Sequence, residues 1–569
     1  MGIGIFPLAL AVLISAPDPS PSNDEEIPGR FLRHHPLTLP ELYEKRMRFY
    51  RGEPLISIGI MDGQAQVTLS ANGPLRLMLD DEEQVPKTVY AAEQARFTLR
   101  RLAGKPAVLR YWVVVESKGI VERSTLETTA RTWKHKGHTT RIFEVGTLLG
   151  VRGTVLDTRQ WQLAIGGSAS RADADALMKT LIREGKTEVF IHDELVEPPS
   201  GVIGVYDEAG ALVHRAIDSV YAGTVVGSRL KVFDVEHNRG YKNHGRETRD
   251  FWGHLYVVID ETGMLAVVSS VGAEKVLAGL VPAEIFATAP AEALKAQAVT
   301  ARGEIFSKLG HRHFGDPFHL CSEQHCQVYS GASAQVPATD KAVEDTRGLL
   351  AFRPREKPGD PRVLVDSVYS SSCGGFSEAN EAVWGTPPSA SLRPRLDGNP
   401  KDPALATFDK PWTEVSLRSF VEAYPPTDCA RSTFAKADRY RWKKVVGQAE
   451  LDTIGESLGT GRIKEVALTG RGPGGRILGL RFSGAKGTAE VLRELPVRRL
   501  FGNLSSGLFV MDLTKSASGD VTSLTLTGGG WGHGVGMCQT GAIGRAERGH
   551  DFRAILDHYY SGAVVEEVY

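Results

Sequence analysis

Excess charge and long apolar segments are both scarce in this sequence. The 569 residues include 67 Lys and Arg against 68 Asp and Glu, a formal net charge of −1. A nearly neutral chain is not expected to be a dedicated nucleic-acid-binding protein, although it could still contain a local basic groove. No apolar run beyond the N-terminus approaches the ~20 residues of a membrane-spanning helix, so we expect no transmembrane span there.

Cysteine is also scarce, with five residues in the whole chain. This number is too small for a disulfide-based scaffold, and it is odd, so at least one cysteine has no disulfide partner within the chain. We interpret Cys373 and Cys538 as small packed residues, and Cys429 has no evident role. The sequence also lacks His-Glu-x-x-His and His-x-Glu with Cys-x-x-Cys, which disfavours a zinc hydrolase.

Residues 3–16 form an apolar stretch of signal-peptide length, and a polar stretch follows that could be a flexible spacer. Ala16 is a candidate cleavage position. No Lys or Arg precedes the stretch, and Ile14 is large for the usual small-x-small rule. An N-terminal strand or helix is the alternative. We predict a signal-like segment and spacer over 1–30, and export to the cell envelope, periplasmic or extracellular.

The hydrophobic fraction of 41% and the charged fraction of 24% are ordinary for a globular protein, and the length suggests three to four domains. Alternating apolar and polar residues from Leu55 to Leu79 predict strands, with a hairpin turn at Asp62-Gly63. Residues 155–195 have a strand–helix–strand pattern in which Ser168 or Ser170 caps the helix. We therefore predict an α+β protein. Its expected regions are a β-rich N-terminal region (31–150), a small α/β module (151–200), a core (201–410), an inserted lobe (411–520) and the C-terminal part of the core (521–569).

An Ala-rich helix is predicted from about Ala291, with Pro290 at its first position. Glu292 then lies in the first turn, where its carboxylate would favour the helix dipole and help cap the backbone. Glu284 is different because apolar residues flank it on both sides. A carboxyl group in apolar surroundings has a raised pKa and can keep its proton near neutral pH, as a general acid must.

Four sequence blocks occur in a fixed order. The first is Glu284-Ile285-Phe286 followed by Glu292-Ala293-Leu294-Lys295-Ala296-Gln297-Ala298 and Arg302. The others are Cys321-Ser322-Glu323-Gln324-His325-Cys326-Gln327-Val328-Tyr329, then Tyr369-Ser370-Ser371-Ser372-Cys373-Gly374-Gly375 with Glu378 and Trp384, and finally Gly530-Trp531-Gly532-His533-Gly534-Val535-Gly536-Met537-Cys538-Gln539.

These blocks, across about 260–569, resemble the stage II sporulation protein D and amidase-enhancer family. The family's usual Glu-Met-Pro is replaced here by Glu284-Ile285-Phe286. The module at 151–200 resembles the sporulation-related repeat, which implies binding to peptidoglycan glycan strands; an ordinary βαβ piece of a larger domain is the alternative.

The resemblance implies a lytic transglycosylase of peptidoglycan. Such an enzyme breaks the β-1,4 bond between N-acetylmuramic acid and N-acetylglucosamine without water, and the muramic acid 6-hydroxyl closes on C1 to give a 1,6-anhydro end. One carboxyl group is sufficient, since it can donate a proton to the leaving oxygen and then accept one from the internal nucleophile. We assign this role of general acid and base to Glu284, with Glu292 as the alternative residue.

The other blocks are expected to form a sugar groove. The glycines would let the backbone approach a flat polymer closely, Trp531 would stack on a sugar face, and the polar side chains would bind hydroxyl and acetamido groups. The predicted substrate-binding residues are Gln297, Tyr329, Ser371, Gly374, Gly375, Trp531, His533 and Gln539. The alternatives are a tight turn for the Gly-rich run and, for Gln297 and Arg302, a solvated helix face or a brace between helix and sheet.

The second block also contains a candidate zinc site, because zinc takes four ligands of the Cys and His type. Some members of the resembling family are implied to hold zinc there, and others lack these cysteines. The expected structural ligands are His313, Cys321, His325 and Cys326, with His319 as the spare. A Cys321–Cys326 disulfide and two buried thiols are the alternatives.

The main rival function is that of a non-catalytic glycan-binding protein that recruits or stimulates a cell-wall amidase. The resemblance to amidase enhancers supports it. The expected partners are thus peptidoglycan glycan strands and, under the rival hypothesis, a cell-wall amidase.

Overall fold

The computed structural model describes residues 30–31, 36–45, 47–186, 188–239, 244–355, 357, 362–408 and 412–569. The predicted signal-like stretch at 3–16 lies outside these residues. The predicted α+β class with a β-rich N-terminal region is confirmed. Within the described ranges, no helix has the length and apolar character needed to cross a bilayer.

The first structural unit combines residues 39–105 with residues 200–272. Its first part contains α1 Leu39–Tyr43, β1 Arg48–Tyr50, β2 Glu53–Gln64, β3 Gln66–Ala71, β4 Leu75–Asp80, β5 Pro86–Ala91 and β6 Phe97–Lys105. The predicted hairpin at Asp62-Gly63 is wrong, because β2 and β3 belong to different sheets. Asp62 and Gly63 lie inside β2, and the Gly63 N–H donates to the Asp260 carboxylate at 2.7 Å.

A small α/β unit follows, and it begins at Val108 rather than at residue 151. It contains β7 Val108–Gly119, α2 Arg123–His135, β8 Thr140–Val145, β9 Leu148–Val151, β10 Thr154–Asp157, β11 Gln160–Ser168, α3 Arg171–Arg183 and β12 Phe190–Glu197. The strand order β12-β7-β11-β8 with α2 and α3 is a β-α-β-β-α-β arrangement. The predicted strand–helix–strand is its second half, and Ser170 is the helix cap. The earlier strand β7 is needed because it pairs with both β11 and β12.

The chain then returns to the first unit and completes its two sheets. The returning strands are β13 Ser200–Tyr206, β14 Leu212–Ile217, β15 Ser219–Thr224, β16 Leu230–His237, β17 Gly245–Phe251, β18 His254–Ile259 and β19 Leu265–Gly272. One sheet has the order β1-β2-β19-β18-β15-β4-β5 and the other the order β14-β13-β6-β3-β16-β17. Their apolar residues share one large core with the helices that follow β19.

The helical part of the core is built around two consecutive helices. Its elements are α4 Ala273–Glu284, α5 Ala291–Lys308, β20 Leu320–Cys321, α6 Pro337–Asp345, β21 Leu349–Phe352, β22 Tyr369–Ser370 and α7 Asn380–Trp384. The predicted Ala-rich helix is confirmed as α5, with Pro290 as its N-cap. It is buried on nearly all sides, since Ala298 and Ala301 pack in the large core while Ala296 and Val299 pack in a second core. Small side chains let neighbours surround the helix.

The remaining elements form a lobe and the C-terminal part of the core. They are α8 Glu414–Ala423, α9 Asp428–Arg431, α10 Ala437–Tyr440, β23 Arg441–Gly447, α11 Gln448–Ser457, β24 Ile463–Arg471, β25 Ile477–Gly484, β26 Gly487–Leu492, α12 Glu494–Leu500, β27 Phe509–Lys515, β28 Val521–Gly529, β29 Met537–Cys538, α13 Gln539–Glu547, α14 Phe552–Tyr559 and β30 Val564–Glu567. Strand β28 pairs with β23 and β27, so the lobe continues to Gly529.

A buried ion pair fixes α4 against α5. The Arg302 guanidinium donates to both carboxylate oxygens of Glu274, at 2.9 and 2.7 Å. Arg302 is fully buried, and Glu274 also accepts from the Tyr569 hydroxyl at 2.6 Å and the Gly348 N–H at 3.2 Å. Burial opposes the charged form of Glu274, but Arg302 together with the hydrogen bonds from Tyr569 and Gly348 outweighs this effect and lowers the pKa of the carboxyl. Arg302 is therefore not on a solvated helix face, and its ion pair braces α5 against another helix rather than against a sheet.

Replacing Arg302 should destabilise the core strongly. In Arg302→Gln the Glu274 carboxylate stays buried without its cation, and we expect a loss of about 3–5 kcal/mol of folding free energy. Chemical denaturation followed by tryptophan fluorescence measures the loss. The matched control is Arg123→Gln, which breaks the exposed 3.1 Å pair with Glu127 and should cost less than about 1 kcal/mol. Equal effects of the two substitutions would contradict the bracing role.

Candidate functional site

Glu284 is the last residue of α4, directly after the buried turn that contains Leu280 and Val281. Its side chain is half-buried, and the carboxylate accepts a hydrogen bond from the Val328 N–H at 2.8 Å. Burial raises the pKa of Glu284 above its ordinary value of 4.5, while the Val328 N–H and the Tyr369 hydroxyl act in the opposite direction. The carboxyl group therefore has the raised proton affinity expected from its apolar sequence context.

Polar side chains from all four sequence blocks meet around Glu284. The Gln539 side-chain amide donates to the Glu284 carbonyl at 2.8 Å and to the Gln297 amide oxygen at 3.2 Å. The Tyr369 hydroxyl donates to Gln327 at 2.9 Å. The Gln297 amide nitrogen is buried and has no hydrogen-bond partner among the described residues. The fold thus places Gln297 and Gln539 beside Glu284, and both side chains are buried there.

Trp531 lies on a surface formed with α10 and the third block. Its ring is 43% exposed, and the Arg439 guanidinium lies 5.0 Å from the ring centre. Arg439 also donates to the Ser371 hydroxyl at 3.3 Å. The backbones of Trp531 and Ser372 form an antiparallel bridge that joins the third and fourth blocks. Trp531 and Ser371 therefore belong to one exposed surface.

A second exposed aromatic ring lies close to Glu284 in the chain. Phe286 is 45% exposed and packs against Phe434, with 5.4 Å between the ring centres. The Lys436 ammonium lies 5.8 Å from the Phe286 ring. Because the Arg439 N–H donates to the Lys436 carbonyl at 2.9 Å, the two cations lie one turn apart. The exposed rings of Phe286 and Trp531 thus lie beside the two cations of the helical turn from Lys436 to Arg439.

Three predicted substrate-binding positions have other surroundings. Tyr329 is only 1% exposed and packs against Phe251 in the core, so a sugar could not contact it in this structure. Gly374 and Gly375 are also buried, and the space beside each is filled by the protein itself. The close approach that these glycines permit is to other protein segments, rather than to a polymer.

His533 and Glu292 also have protein partners. His533 packs against Trp384 with 5.0 Å between ring centres, and its Nδ1 accepts from the Val535 N–H at 3.1 Å. Burial lowers the pKa of His533 to about 4, so the ring is neutral at neutral pH. Glu292 accepts from the Lys295 ammonium at 3.0 Å and from the Phe552 N–H at 2.9 Å.

The predicted zinc ligands lie close together. The ligand atoms of His313, Cys321, His325 and Cys326 are all within 4.8 Å of one another. His313 contacts the Cys326 sulfur through Nε2 at 3.2 Å, while its Nδ1 lies 2.8 Å from the Asp316 carboxylate. A carboxylate on the second nitrogen is a common support for a zinc-binding histidine. Neither cysteine is in a disulfide.

The spare ligand does not join this cluster. His319 is buried, its Nδ1 contacts the Ser57 hydroxyl, and its Nε2 lies 3.1 Å from the Lys45 carbonyl. Burial lowers the pKa of His319 to about 4. Both ring nitrogens are therefore used within the protein.

Several residues near the candidate site were missed by sequence reasoning. Tyr369 and Gln327 lie within the quoted blocks, so their positions carried a signal. Lys436 and Arg439 lie in the region interpreted as an inserted lobe, where no motif marked them. Phe286 was noted only as an apolar neighbour of Glu284. Long-range packing, which a single sequence does not display, brings these side chains together.

Two family profiles match this chain. Residues 261–352 match the stage II sporulation protein family, and residues 378–536 match a family described as a domain of unknown function. The first match contains Glu284 and the four predicted zinc ligands. The second contains Trp531 and His533 and ends before Gln539.

Curated proteins are similar over about half of the chain. The amidase enhancer of Bacillus subtilis is 27% identical over 51% of this chain and 40% of its own length. The stage II sporulation protein D of Bacillus amyloliquefaciens is 26% identical over 53% of this chain and 76% of its own length. An uncharacterized protein of Brachyspira hyodysenteriae is 26% identical over 55% of this chain and 71% of its own length. The matched region thus spans less than half of the amidase enhancer. The resemblance to stage II sporulation protein D and the amidase enhancer is confirmed.

Adding one methyl group at Gly374 should be costly. Gly374 has a φ of +73°, and a Cβ there would lie 2.6 Å from the backbone of Gly529 and Gly530. We expect Gly374→Ala to cost on the order of 3 kcal/mol, from backbone strain and overpacking together. The matched control is Gly137→Ala, where φ is +87° but no atom lies within 4 Å of the new Cβ. Denaturation curves would contradict this packing if both variants lost the same stability.

Proposed function

We propose that the protein is a peptidoglycan lytic transglycosylase in which Glu284 is the general acid and base. The observation that carries the proposal is the half-buried Glu284 carboxyl group, whose pKa is raised by burial and which is held by the Val328 N–H. The similarity to stage II sporulation protein D and the amidase enhancer supports a cell-wall role.

The proposed reaction needs one proton carrier. Protonated Glu284 donates its proton to the glycosidic oxygen as the bond from C1 of N-acetylmuramic acid to that oxygen breaks. The 6-hydroxyl oxygen of the same sugar then bonds to C1, and its proton passes to the Glu284 carboxylate. No water is consumed, and Glu284 ends in its starting state, so a second carboxylate is not required.

The surrounding surface has the chemistry of a binding site for an acidic amino-sugar polymer. Phe286 and Trp531 expose ring faces on which the apolar side of a sugar can stack. Lys436 and Arg439 place positive charge beside these rings, which favours the carboxylates that peptidoglycan carries. Ser371 provides a hydrogen-bonding group on this surface, while the buried Gln297 and Gln539 support the Glu284 backbone from beneath. This function also requires the protein to be exported to the cell envelope.

Glu292 is the weaker candidate for the acid. Both of its carboxylate oxygens are used within the protein, one by Lys295 and the other by the backbone at the start of α14. A carboxyl group whose two oxygens are both held by the protein is poorly placed to reach a glycosidic oxygen. We therefore assign Glu292 to joining α5 and α14.

Replacing the Glu284 carboxyl group with an amide should abolish product formation while leaving glycan binding intact. Glu284→Gln keeps the size of the side chain, and loss of general acid catalysis should reduce the rate by about 10²–10⁴-fold. The assay incubates the purified protein with glycan strands, with and without stem peptides, and detects anhydro-muramic ends by mass spectrometry. Sedimentation with insoluble peptidoglycan measures binding.

The matched control is Glu344→Gln, an exposed position on α6, which should behave like the unmodified protein. Normal product from Glu284→Gln would refute the assignment, and loss of product only in Glu292→Gln would move the role to that residue. Absence of anhydro ends for every variant, with binding retained, would favour the alternative of a glycan-binding protein that stimulates a cell-wall amidase. The similarity to the amidase enhancer is the observation that favours this second function.

We also propose that His313, Cys321, His325 and Cys326 hold a structural zinc ion. The two thiols and two imidazoles are a suitable donor set, and their ligand atoms are close enough to share one ion. The bound ion would fix the segment that ends two residues before Val328. These protein ligands would then position the Val328 N–H group, which donates a hydrogen bond to the Glu284 carboxylate. No step of the proposed reaction uses the ion.

Removal of the two thiols should release this zinc. Cys321→Ser combined with Cys326→Ser is expected to lower the zinc content by one equivalent, measured by plasma mass spectrometry, and to lower the melting temperature. The control is His135→Gln, an exposed histidine on α2, which should leave the zinc content unchanged. Equal zinc in the double variant and the control would refute this site.

A further inference from the structure

A second cluster of sulfur ligands lies in the C-terminal part of the core. It consists of Cys373, Asp397, Cys429 and Cys538, each at most 1% exposed. One ligand atom from each residue lies within 4.8 Å of every other. The four residues come from separate segments, namely the third sequence block, the loop that follows α7, helix α9 and the end of β29.

The spacing of the sulfur atoms matches a shared metal ion. The Sγ atoms of Cys373 and Cys429 are 3.8 Å apart. Two sulfurs that bind one zinc ion at about 2.3 Å with tetrahedral angles are separated by about 3.8 Å. All five cysteines of the chain are free, and a disulfide would need these two sulfurs to approach to about 2 Å.

Backbone N–H groups are directed at the Cys538 sulfur. It accepts from the Cys373 N–H at 3.1 Å and from the Gly541 N–H at 3.3 Å. Cys538 is also the N-cap of α13, a nine-residue helix. Hydrogen bonds and a helix N-terminus both stabilise a thiolate, which is the form of cysteine that binds metals.

Asp397 is a buried carboxyl group that is held by hydrogen bonds. One oxygen accepts from the Cys429 N–H at 3.0 Å, and the other accepts from the Tyr559 hydroxyl at 2.6 Å. No ion pair of Asp397 with a basic side chain occurs within the part of the chain that the structure describes. The nearby Arg545 pairs instead with Asp428 at 2.6 Å. A buried carboxylate without a positive partner is costly, and a divalent cation would supply the missing charge.

We propose that Cys373, Cys429, Cys538 and Asp397 bind one zinc ion, separate from the ion at His313. Three thiolates and one carboxylate complete a tetrahedral shell, which is the closed arrangement of a structural zinc site. Binding displaces the protons that the apo cluster holds on its thiols and carboxyl group. The zinc ion itself is neither oxidised nor reduced.

The position of this ion would connect it to the candidate active site. Cys373 precedes Gly374 and follows Ser372, which pairs with Trp531. Cys538 precedes Gln539, which donates to the Glu284 carbonyl. The ion would therefore hold the third and fourth blocks together beneath the proposed sugar-binding surface. This role does not depend on the transglycosylase reaction.

Metal analysis distinguishes the two sites. The full chain is produced in medium supplemented with ZnCl₂, and its zinc content is measured by plasma mass spectrometry. We expect two equivalents in the unmodified protein. One equivalent should remain in the triple variant Cys373→Ser, Cys429→Ser and Cys538→Ser, and one in the double variant Cys321→Ser and Cys326→Ser.

A cobalt measurement covers the case in which the triple variant does not fold. Co²⁺ bound to the double variant should still show thiolate-to-cobalt charge-transfer absorption, and Asp397→Asn in the same background should change this spectrum and weaken binding. The proposal would be overturned if the double variant contained no zinc and its Co²⁺ form showed no thiolate-to-cobalt charge-transfer absorption. A Cys373–Cys429 disulfide found by mass spectrometry would also overturn it. These readouts do not use lytic activity, so they remain informative if the proposed function fails.

Discussion

The buried pair between Glu274 and Arg302 is the interaction on which the site depends most. Glu274 lies in the first turn of α4, and Glu284 is the last residue of the same helix. Arg302 lies within α5, and its guanidinium also donates to the Leu349 carbonyl at 3.1 Å. Two buried charges contribute little net stability even when paired, but their geometry is restrictive. The pair therefore sets the position of α4, and with it the position of the Glu284 carboxyl group.

Helix α5 has a composition that follows from its position between two cores. An amphipathic helix would expose one polar face, whereas Gln297, Thr300 and Arg302 are all buried. Each of these polar side chains needs a partner from another segment, and Gln297 receives one from Gln539 near the end of the chain. The helix consequently links the beginning and the end of the region that contains the candidate site, which are separated by more than two hundred residues of sequence.

The sequence predicted those features that depend on residues close together along the chain. The start of α5 follows from Pro290 and the alanine-rich run, and the raised pKa of Glu284 follows from its apolar neighbours. It was less informative where partners are distant. Alternation predicted β2 and β3 but not that they enter different sheets. The glycines of the third block were assigned to a polymer surface, since nothing in the sequence shows that Gly529 and Gly530 pack against Gly374. Tyr329 likewise looked polar and available, and its burial depends on Phe251.

The same distinction explains why the sequence indicated only small packed residues at Cys373 and Cys538 and no evident role for Cys429. Cys373, Cys429 and Cys538 have no close spacing along the chain, so no metal-binding pattern was visible. They meet because β22 and β29 pair in parallel and because α9 packs on α13. Asp397 and the three thiols are four acidic groups in a low-dielectric environment, where charged forms are unfavourable unless they are paired or hydrogen-bonded. A divalent ion would make the charged forms favourable, and it would add a link between segments that β22 and β29 join over two residue pairs and isolated bridges join at two more.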